Sequence, residues 1–371
     1  MSHFSSDFNV VYLRVVQGCN LNCTHCFTLG NKDKYELASL AQITEFLTSI
    51  RKNVNPKGAV FYIHGGEPFL APKEHLRAVN EIIRSTFPDI KINIIPQTNL
   101  MFKVDQEFVD FINEEYAGHI GVSWDHGIRF QTTTRALDED LFLKNFRYLV
   151  EKDIEMAVAI TVQKHLLTED PISIVQRLEG AKSIDFEFLT MFDKKTMDLK
   201  VNNTEWSKFY HQIVTYYSNN KTTWSLPQVD LLTKSYIENK IYQCKCNCCQ
   251  HRTFTMNCNG TVGLCPDETY VAPISTVKEM ANDWTSFSTK AETLYLRQLG
   301  QEINSLCTQC EFFDVCGGNC ELTLFSENDE ECPLSKQSIA YQFNNIQIFQ
   351  NKLQEAKENL VELRERGPSC H

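Results

Sequence analysis

Two apolar rhythms alternate along the first two-thirds of the chain. Short runs rich in β-branched residues predict strands at Asn9–Val16, Gly58–His64, Lys91–Pro96, His119–Trp124, Glu155–Val162 and Ser183–Leu189. Between them, apolar residues three and four apart predict helices over Leu40–Ile50, Leu76–Phe87, Val104–Glu115, Asp140–Glu151, Pro171–Leu178 and Glu205–Tyr217. Strand and helix alternate six times, the rhythm of parallel βαβ units. The expected fold is α/β. From the pattern alone, a doubly wound sheet and a partial or full barrel both remain open. In either, chemistry gathers at the C-terminal ends of the strands.

The rhythm changes after residue 225. Leu226–Tyr242 predicts a connecting helix. Cys244–Cys332 has weak periodicity and is expected to fold around metal rather than around a large apolar core. Ser335–Arg366 predicts one long helix, with a stripe from Ile339 through Phe343, Ile346, Phe349 and Leu353 to Leu363 that packs on the preceding domain. The expected division is therefore 1–225 and 226–371.

Charge and composition remove several classes. The 371 residues carry 47 acidic and 36 basic side chains, a net charge of −11, and Lys and Arg form no cluster. A phosphate-tracking surface needs such a cluster, so nucleic acid is not an expected partner. No apolar run is long enough to span a bilayer, so no membrane partner is expected. The first residues lack a charged and then apolar signal segment, so no secretory signal is read there and a cytoplasmic protein is expected. A basic peptide or a small molecule suits the acidic surface better.

The 15 cysteines are unevenly placed: three at 19, 23 and 26, none from 27 to 243, and twelve from 244 to 370. In a reducing compartment this spacing points to metal ligation rather than disulfides. Cys19, Cys23 and Cys26 follow the first strand with C-x3-C-x2-C spacing. Three thiolates can hold three irons of a 4Fe–4S cluster and leave one iron open. Zinc completed by His25 or His64 is the competing assignment. Gly65-Gly66-Glu67-Pro68 ends the second strand, about 40 residues further on.

This pair of motifs resembles the radical SAM enzymes. The resemblance implies a partial (β/α)6 TIM-like barrel. It also implies S-adenosyl-L-methionine (SAM) chelated at the open iron, and its cleavage to a 5′-deoxyadenosyl radical. Gly65, Gly66 and Glu67 would receive the methionine amino group. His25 stands where the family usually has an aromatic residue near the adenine, and an imidazole can stack similarly. By position, Ser123, Arg135 and Leu189 resemble the family's further cofactor contacts.

The second group, Cys249-x10-Gly260-x4-Cys265 followed by Cys307, Cys310, Cys316, Cys320 and Cys332, looks like a SPASM domain. That implies two auxiliary 4Fe–4S clusters, and three clusters in all. Cys307, Cys310, Cys316 and Cys332 would hold one. Cys265, Cys320, Cys249 and one of Cys244, Cys246 or Cys248 would hold the other, with Cys244 chosen because adjacent thiols strain a shared cluster. Cys258 and Cys370 are expected to be plain thiols. Zinc is the competing metal for this region too, since C-x2-C and C-x3-C pairs are normal zinc spacing.

The resemblance implies an enzyme acting on a ribosomally made precursor peptide. The expected outcome is a macrocyclic crosslink at an unactivated carbon, carbon–carbon (cyclophane) first and thioether second. Asp267 and Asp125 are the candidate bases. An electron donor such as flavodoxin or ferredoxin is implied. Only 18 residues precede Cys19, so no N-terminal leader-binding domain is expected; a separate leader-binding protein, or the barrel and SPASM region directly, is the expected means of leader recognition. The nearest alternative is an anaerobic sulfatase-maturating enzyme, which forms formylglycine. That group commonly has Asp directly after the Gly-x4-Cys cysteine, whereas Pro266 follows Cys265 here and Asp267 comes one later. A zinc-stabilised scaffold is the non-enzyme alternative.

Overall fold

A computed structural model describes residues 4–26, 35–129, 139–189, 198–242, 249–299, 305–318 and 331–359. The six predicted strands are present as β1 (Asn9–Val16), β2 (Gly58–Gly65), β3 (Lys91–Thr98), β4 (His119–Ser123), β5 (Glu155–Val162) and β6 (Ser183–Phe188). The intervening helices are α1 (Leu40–Asn53), α2 (Lys73–Thr86), α3 (Gln106–Tyr116), α4 (Glu139–Glu151), α5 (Pro171–Arg177) and α6 (Asn203–Asn219). The fold is α/β, with the parallel βα succession of a partial (β/α)6 TIM-like barrel and a sheet that does not close.

Local sequence explains where these helices begin. Ser39, Asp105, Asp170 and Asn202 cap α1, α3, α5 and α6, each accepting a first-turn backbone N–H. Pro171 opens α5, where its missing N–H costs nothing.

The chain divides into two compact units, 1–122 with 129–154 and 247–300, and 123–128 with 155–246 and 301–371. In the first, β1 pairs in parallel with β2, and β2 with β3. A strand from the cysteine-rich part, β7 (Thr253–Met256), continues the sheet on the other side of β1, also in parallel. Two antiparallel strands, β8 (Thr261–Gly263) and β9 (Ser275–Thr276), follow it. Val10, Tyr12, Val60, Tyr62 and Ile95 form one apolar cluster, with Tyr12 and Tyr62 stacked at 5.0 Å between centroids. The alternate residues Val11, Leu13, Val15, Phe61 and Ile63 are buried as well. Burial on both faces is why these strands read as continuous apolar runs instead of alternating ones.

In the second unit β5 and β6 pair in parallel over six positions. Trp206 of α6 packs on Phe186, Phe188 and Tyr210 and donates its indole N–H to Pro333 O at 2.8 Å. The helix α7 (Pro227–Glu238) follows, and Gln342 donates to its Val229 carbonyl and Thr233 hydroxyl.

One expectation is corrected. The single helix predicted over Ser335–Arg366 is two helices, Lys336–Asn344 and Ile346–Asn359. Asn345 leaves helical geometry (φ −121°, ψ 30°), and its backbone N–H closes the first helix on Tyr341 and Gln342. A side chain that competes for backbone hydrogen bonds favours such a break, and its amide indeed bonds Tyr341 O. The apolar stripe persists across the break, so periodicity alone does not reveal it.

Replacing Trp206 by Phe keeps an aromatic ring but removes the N–H to Pro333 and leaves a cavity where the larger, fully buried indole packed. The expected loss is roughly 2–4 kcal/mol of unfolding free energy in urea, from the cavity together with a buried carbonyl left without its donor.

Candidate active site

The end of β2 is clasped to the loop that leaves β1. Gly66 N–H donates to Val16 O and Glu67 N–H to Gly18 O, both at 2.9 Å. A Cβ on Gly66 would lie 2.1 Å from Gly18 O, and one on Gly65 would lie 2.3 Å from Val16 O. Only glycine allows the two backbones to come this close.

Glu67 is buried and extends the clasp to β3. Its carboxylate accepts from Asn99 N at 2.8 Å, Thr98 Oγ1 at 2.9 Å and Phe69 N at 3.2 Å. Burial nevertheless pushes this carboxyl up to about 7, against the lowering effect of those hydrogen bonds and of Arg129.

The first cysteine group sits on the loop so held. Cys19, Cys23 and Cys26 are all half-buried thiols, none of them in a disulfide. Cys26 N–H turns back to Cys23 O at 3.3 Å. Cys19 Sγ accepts from Leu21 N at 3.3 Å and lies 3.9 Å from Asn99 Nδ2, while Arg129 Nη1 is 3.8 Å from Cys23 Sγ. Burial, opposed by the Leu21 N–H and aided by the nearby Glu67, Cys23 and Cys26, raises the Cys19 thiol to about 12. Such a thiol ligates only when a metal displaces its proton. His25 is half-buried in the same turn.

Cys265 and Asp267 belong to the same unit. Gly260 (φ 78°) turns the chain between β7 and β8, and buried Cys265 precedes a short helix, Pro266–Val271, with Asp267 in its first turn. Arg14 of β1 crosses to this segment. It donates to Asn257 Oδ1 at 2.8 Å and Pro266 O at 2.5 Å and lies over the Tyr270 ring. Burial lowers its guanidinium to about 10, opposed by the negative groups of Asp267, Cys26, Tyr270 and Cys265. Asp267 is thus neighbour to a buried cation. Cys249 is half-buried at the start of a short helical turn, Cys249–Arg252. Cys258, expected to be a plain thiol, is buried and donates to Glu36 O at 3.1 Å.

The second unit holds a separate cysteine cavity. Cys307, Cys310, Cys316 and Cys332 line it together with Phe312 and Leu334. Burial raises the Cys316 thiol to about 12, with further contributions from Cys332, Cys307 and Cys310. The four thiols are therefore close enough to feel one another's charge. Among the described residues, no three Cys, His, Asp or Glu side chains converge as a single ion would require. Four thiols lining one cavity are a donor set of the kind that iron–sulfur clusters and zinc both use.

The other sequence candidates are less alike. Asp125 is buried, and its carboxylate accepts Thr161 N–H at 2.7 Å, tying it to β5. Ser123 is the last residue of β4, and Leu189 lies half-buried one residue past β6. Arg135, Cys244 and Cys320 lie outside the described residues.

Sequence reasoning misses Arg14, Asn20, Thr98 and Asn99. In the sequence Arg14 reads only as part of a strand. Its signal is a charge inside an apolar run, which must find partners when buried. Thr98 and Asn99 follow a strand end without any motif spacing, so only the sheet register brings them to Glu67.

Residues 13–178 match the model of the Radical SAM superfamily. They are thus a radical SAM domain. A cysteine-type anaerobic sulfatase-maturating enzyme of Clostridium perfringens is 24% identical over 352 residues, which span 87% of this chain and 91% of that protein. Among solved structures, histidine-tagged anSMEcpe with bound AdoMet superposes with a TM-score of 0.72 at 18% identity, covering 95% of this chain and 99% of that one. Streptococcus suis SuiB bound to its precursor peptide SuiA gives a TM-score of 0.57 at 14% identity, covering 90% and 77%. At these identities the superpositions establish a shared fold.

Two outcomes follow from the clasp. Gly66→Ala is expected to cost roughly 2–4 kcal/mol in urea unfolding, because its Cβ meets backbone rather than a movable side chain. Glu67 has its folded pKa raised to about 7 from 4.5, so the folded state holds a proton that the unfolded state releases. Its contribution to stability is full below about pH 4.5 and is lost as pH rises through 7. Urea unfolding of the metal-free protein at pH 5 and pH 7.5 is expected to show a decline that Glu67→Gln reduces, by up to roughly 3 kcal/mol.

Proposed function

We propose that this radical SAM enzyme modifies a ribosomally made peptide, installing a macrocyclic crosslink. The observation that carries the peptide assignment is similarity along nearly the whole chain to enzymes whose solved forms include anSMEcpe with a bound Cys-containing peptide and SuiB with its precursor peptide. A carbon–carbon crosslink is our first choice and a thioether our second. Formylglycine formation is the second reading, favoured by the Clostridium perfringens relative. Against it stands Pro266 at the position after Cys265, which moves the acidic residue to Asp267.

Cys19, Cys23 and Cys26 would hold a 4Fe–4S cluster. The fit rests on three thiols carried on one short loop, with N–H donors directed at two of the sulfurs. Together with S-adenosyl-L-methionine this cluster supplies the radical that abstracts hydrogen from the peptide. His25, Gly65, Gly66, Glu67, Ser123, Arg135 and Leu189 would receive the methionine and adenosine parts. Cys307, Cys310, Cys316 and Cys332 would hold one auxiliary cluster, and the cavity they line fits that role. Cys249, Cys265, Cys244 and Cys320 would hold a second.

Asp267 is the preferred base for the substrate proton, since it lies in the first turn after Cys265. Asp125 is less suited, because its carboxylate already caps Thr161. Residues 1–225 would supply radical chemistry and 226–371 electron acceptance. This is a division of roles, since β7 packs with the first part. A flavodoxin or ferredoxin would deliver the electron, and a separate protein could present the leader.

Mass spectrometry of products from the anaerobically reconstituted enzyme tests the choice. The substrates are the peptide encoded beside the gene and a sulfatase-derived Cys peptide. Loss of two hydrogens from the encoded peptide, with no change in the sulfatase peptide, is the expected result. Replacement of the Cys thiol by an aldehyde oxygen in the sulfatase peptide would establish formylglycine formation instead. Asp267→Asn is expected to lower product at least tenfold while 5′-deoxyadenosine still forms.

A further inference from the structure

Asn99 joins both halves of the clasped site. It is 5% exposed at the end of β3. Its backbone N–H reaches Glu67 Oε2 at 2.8 Å. Its side-chain oxygen accepts Met101 N–H at 2.7 Å, which fixes the side-chain rotamer. Its amide nitrogen then faces the cysteine loop, donating to Asn20 Oδ1 at 2.9 Å and lying 3.9 Å from Cys19 Sγ. Asn20 in turn donates to Met101 O at 2.7 Å, closing a ring of hydrogen bonds through residues 20, 99 and 101. The orientation of the amide follows from this ring, because its oxygen is held by a backbone donor.

We propose that Asn99 is a positioning residue that holds Cys19 for ligation and, through its N–H to the Cys19 sulfur, raises the reduction potential of the cluster bound there. The inference rests on the assignment of Cys19, Cys23 and Cys26 as cluster ligands. A donor to a ligating sulfur stabilises the more negative, reduced cluster, and outer hydrogen bonds of this kind are a main means by which proteins set cluster potentials. Leu21 N–H already makes one such bond to Cys19 at 3.3 Å. Asn99 adds a side-chain donor from a different strand, so the potential becomes linked to the fit between β3 and the loop after β1.

The test is an EPR-monitored redox titration of the reconstituted protein, with iron and sulfide content measured on each sample. To leave one cluster, Cys307, Cys310, Cys316, Cys332, Cys249 and Cys265 are replaced by Ala in the background. Asn99→Ala is expected to lower the reduced-to-oxidised ratio at fixed potential about tenfold, which is about 59 mV for a one-electron couple. Asn20→Ala removes the acceptor of the Asn99 amide and the contact of its own amide oxygen with the Cys19 sulfur but keeps the Asn99 donor, and its midpoint is expected to fall by less than that of Asn99→Ala.

Asn99→Asp keeps the Met101 bond and serves if Asn99→Ala loads poorly. There, pulsed EPR with 15N-asparagine labelling is expected to show a side-chain nitrogen coupling in the parent and in Asn20→Ala that is lost in Asn99→Asp. An unchanged midpoint in Asn99→Ala, or a coupling that survives in Asn99→Asp, would overturn the inference. A parent protein that takes up no cluster would instead overturn the ligand assignment.

Discussion

The site depends on one close backbone contact, Gly66 against Gly18. Two hydrogen bonds at 2.9 Å run across it, and a single methyl group would sit 2.1 Å from a carbonyl oxygen. The first cysteine loop and Glu67 are built outward from it. On one side is the loop with Cys19, Cys23 and Cys26. On the other is Glu67, whose carboxylate carries the contact on to Thr98 and Asn99. Three strand ends are thereby fixed relative to one another with hardly a side chain between the first two. Pre-organisation of this kind matters for radical chemistry, because a reactive intermediate must be held against one target and shielded from others.

Charge in the same unit is arranged around few, well-satisfied groups. Arg14 is buried in the sheet yet donates to Asn257 and Pro266 and neighbours Asp267. A buried guanidinium without partners would be costly, and here its partners lie on the segment after β7. The cysteine-rich part is thus tied to the first strand by hydrogen bonds as well as by the β1–β7 pairing. Strand pairing and hydrogen bonds therefore organise this part in their own right. In the second unit, by contrast, the four cysteines line a cavity amid Phe312, Leu334 and Ile339, where little but apolar packing and thiols is present.

Much of this architecture is legible in the chain. Six apolar runs became six strands with ends shifted by at most two residues, two of them not at all, and the signal is most continuous in β1 and β2, which are buried on both faces. The cysteine spacing and the Gly-Gly-Glu motif were legible because each sits within one loop. The helix break at Asn345 was not, since one turn-forming residue barely perturbs an apolar stripe.

What the sequence by itself determined is the alternation of elements, the cysteine groups and the superfamily they signal, all set by local spacing and periodicity. What only the tertiary structure decided is which distant residues meet. Asn99 reaches Cys19 because β2 and β3 are in register, with Tyr62 opposite Ile95. Arg14 reaches Pro266 because β7 lies beside β1. Asp125 is occupied by Thr161 because the segment after β4 runs beside β5. Register is a property of strand pairs, set by packing on both faces. No single stretch of sequence carries it.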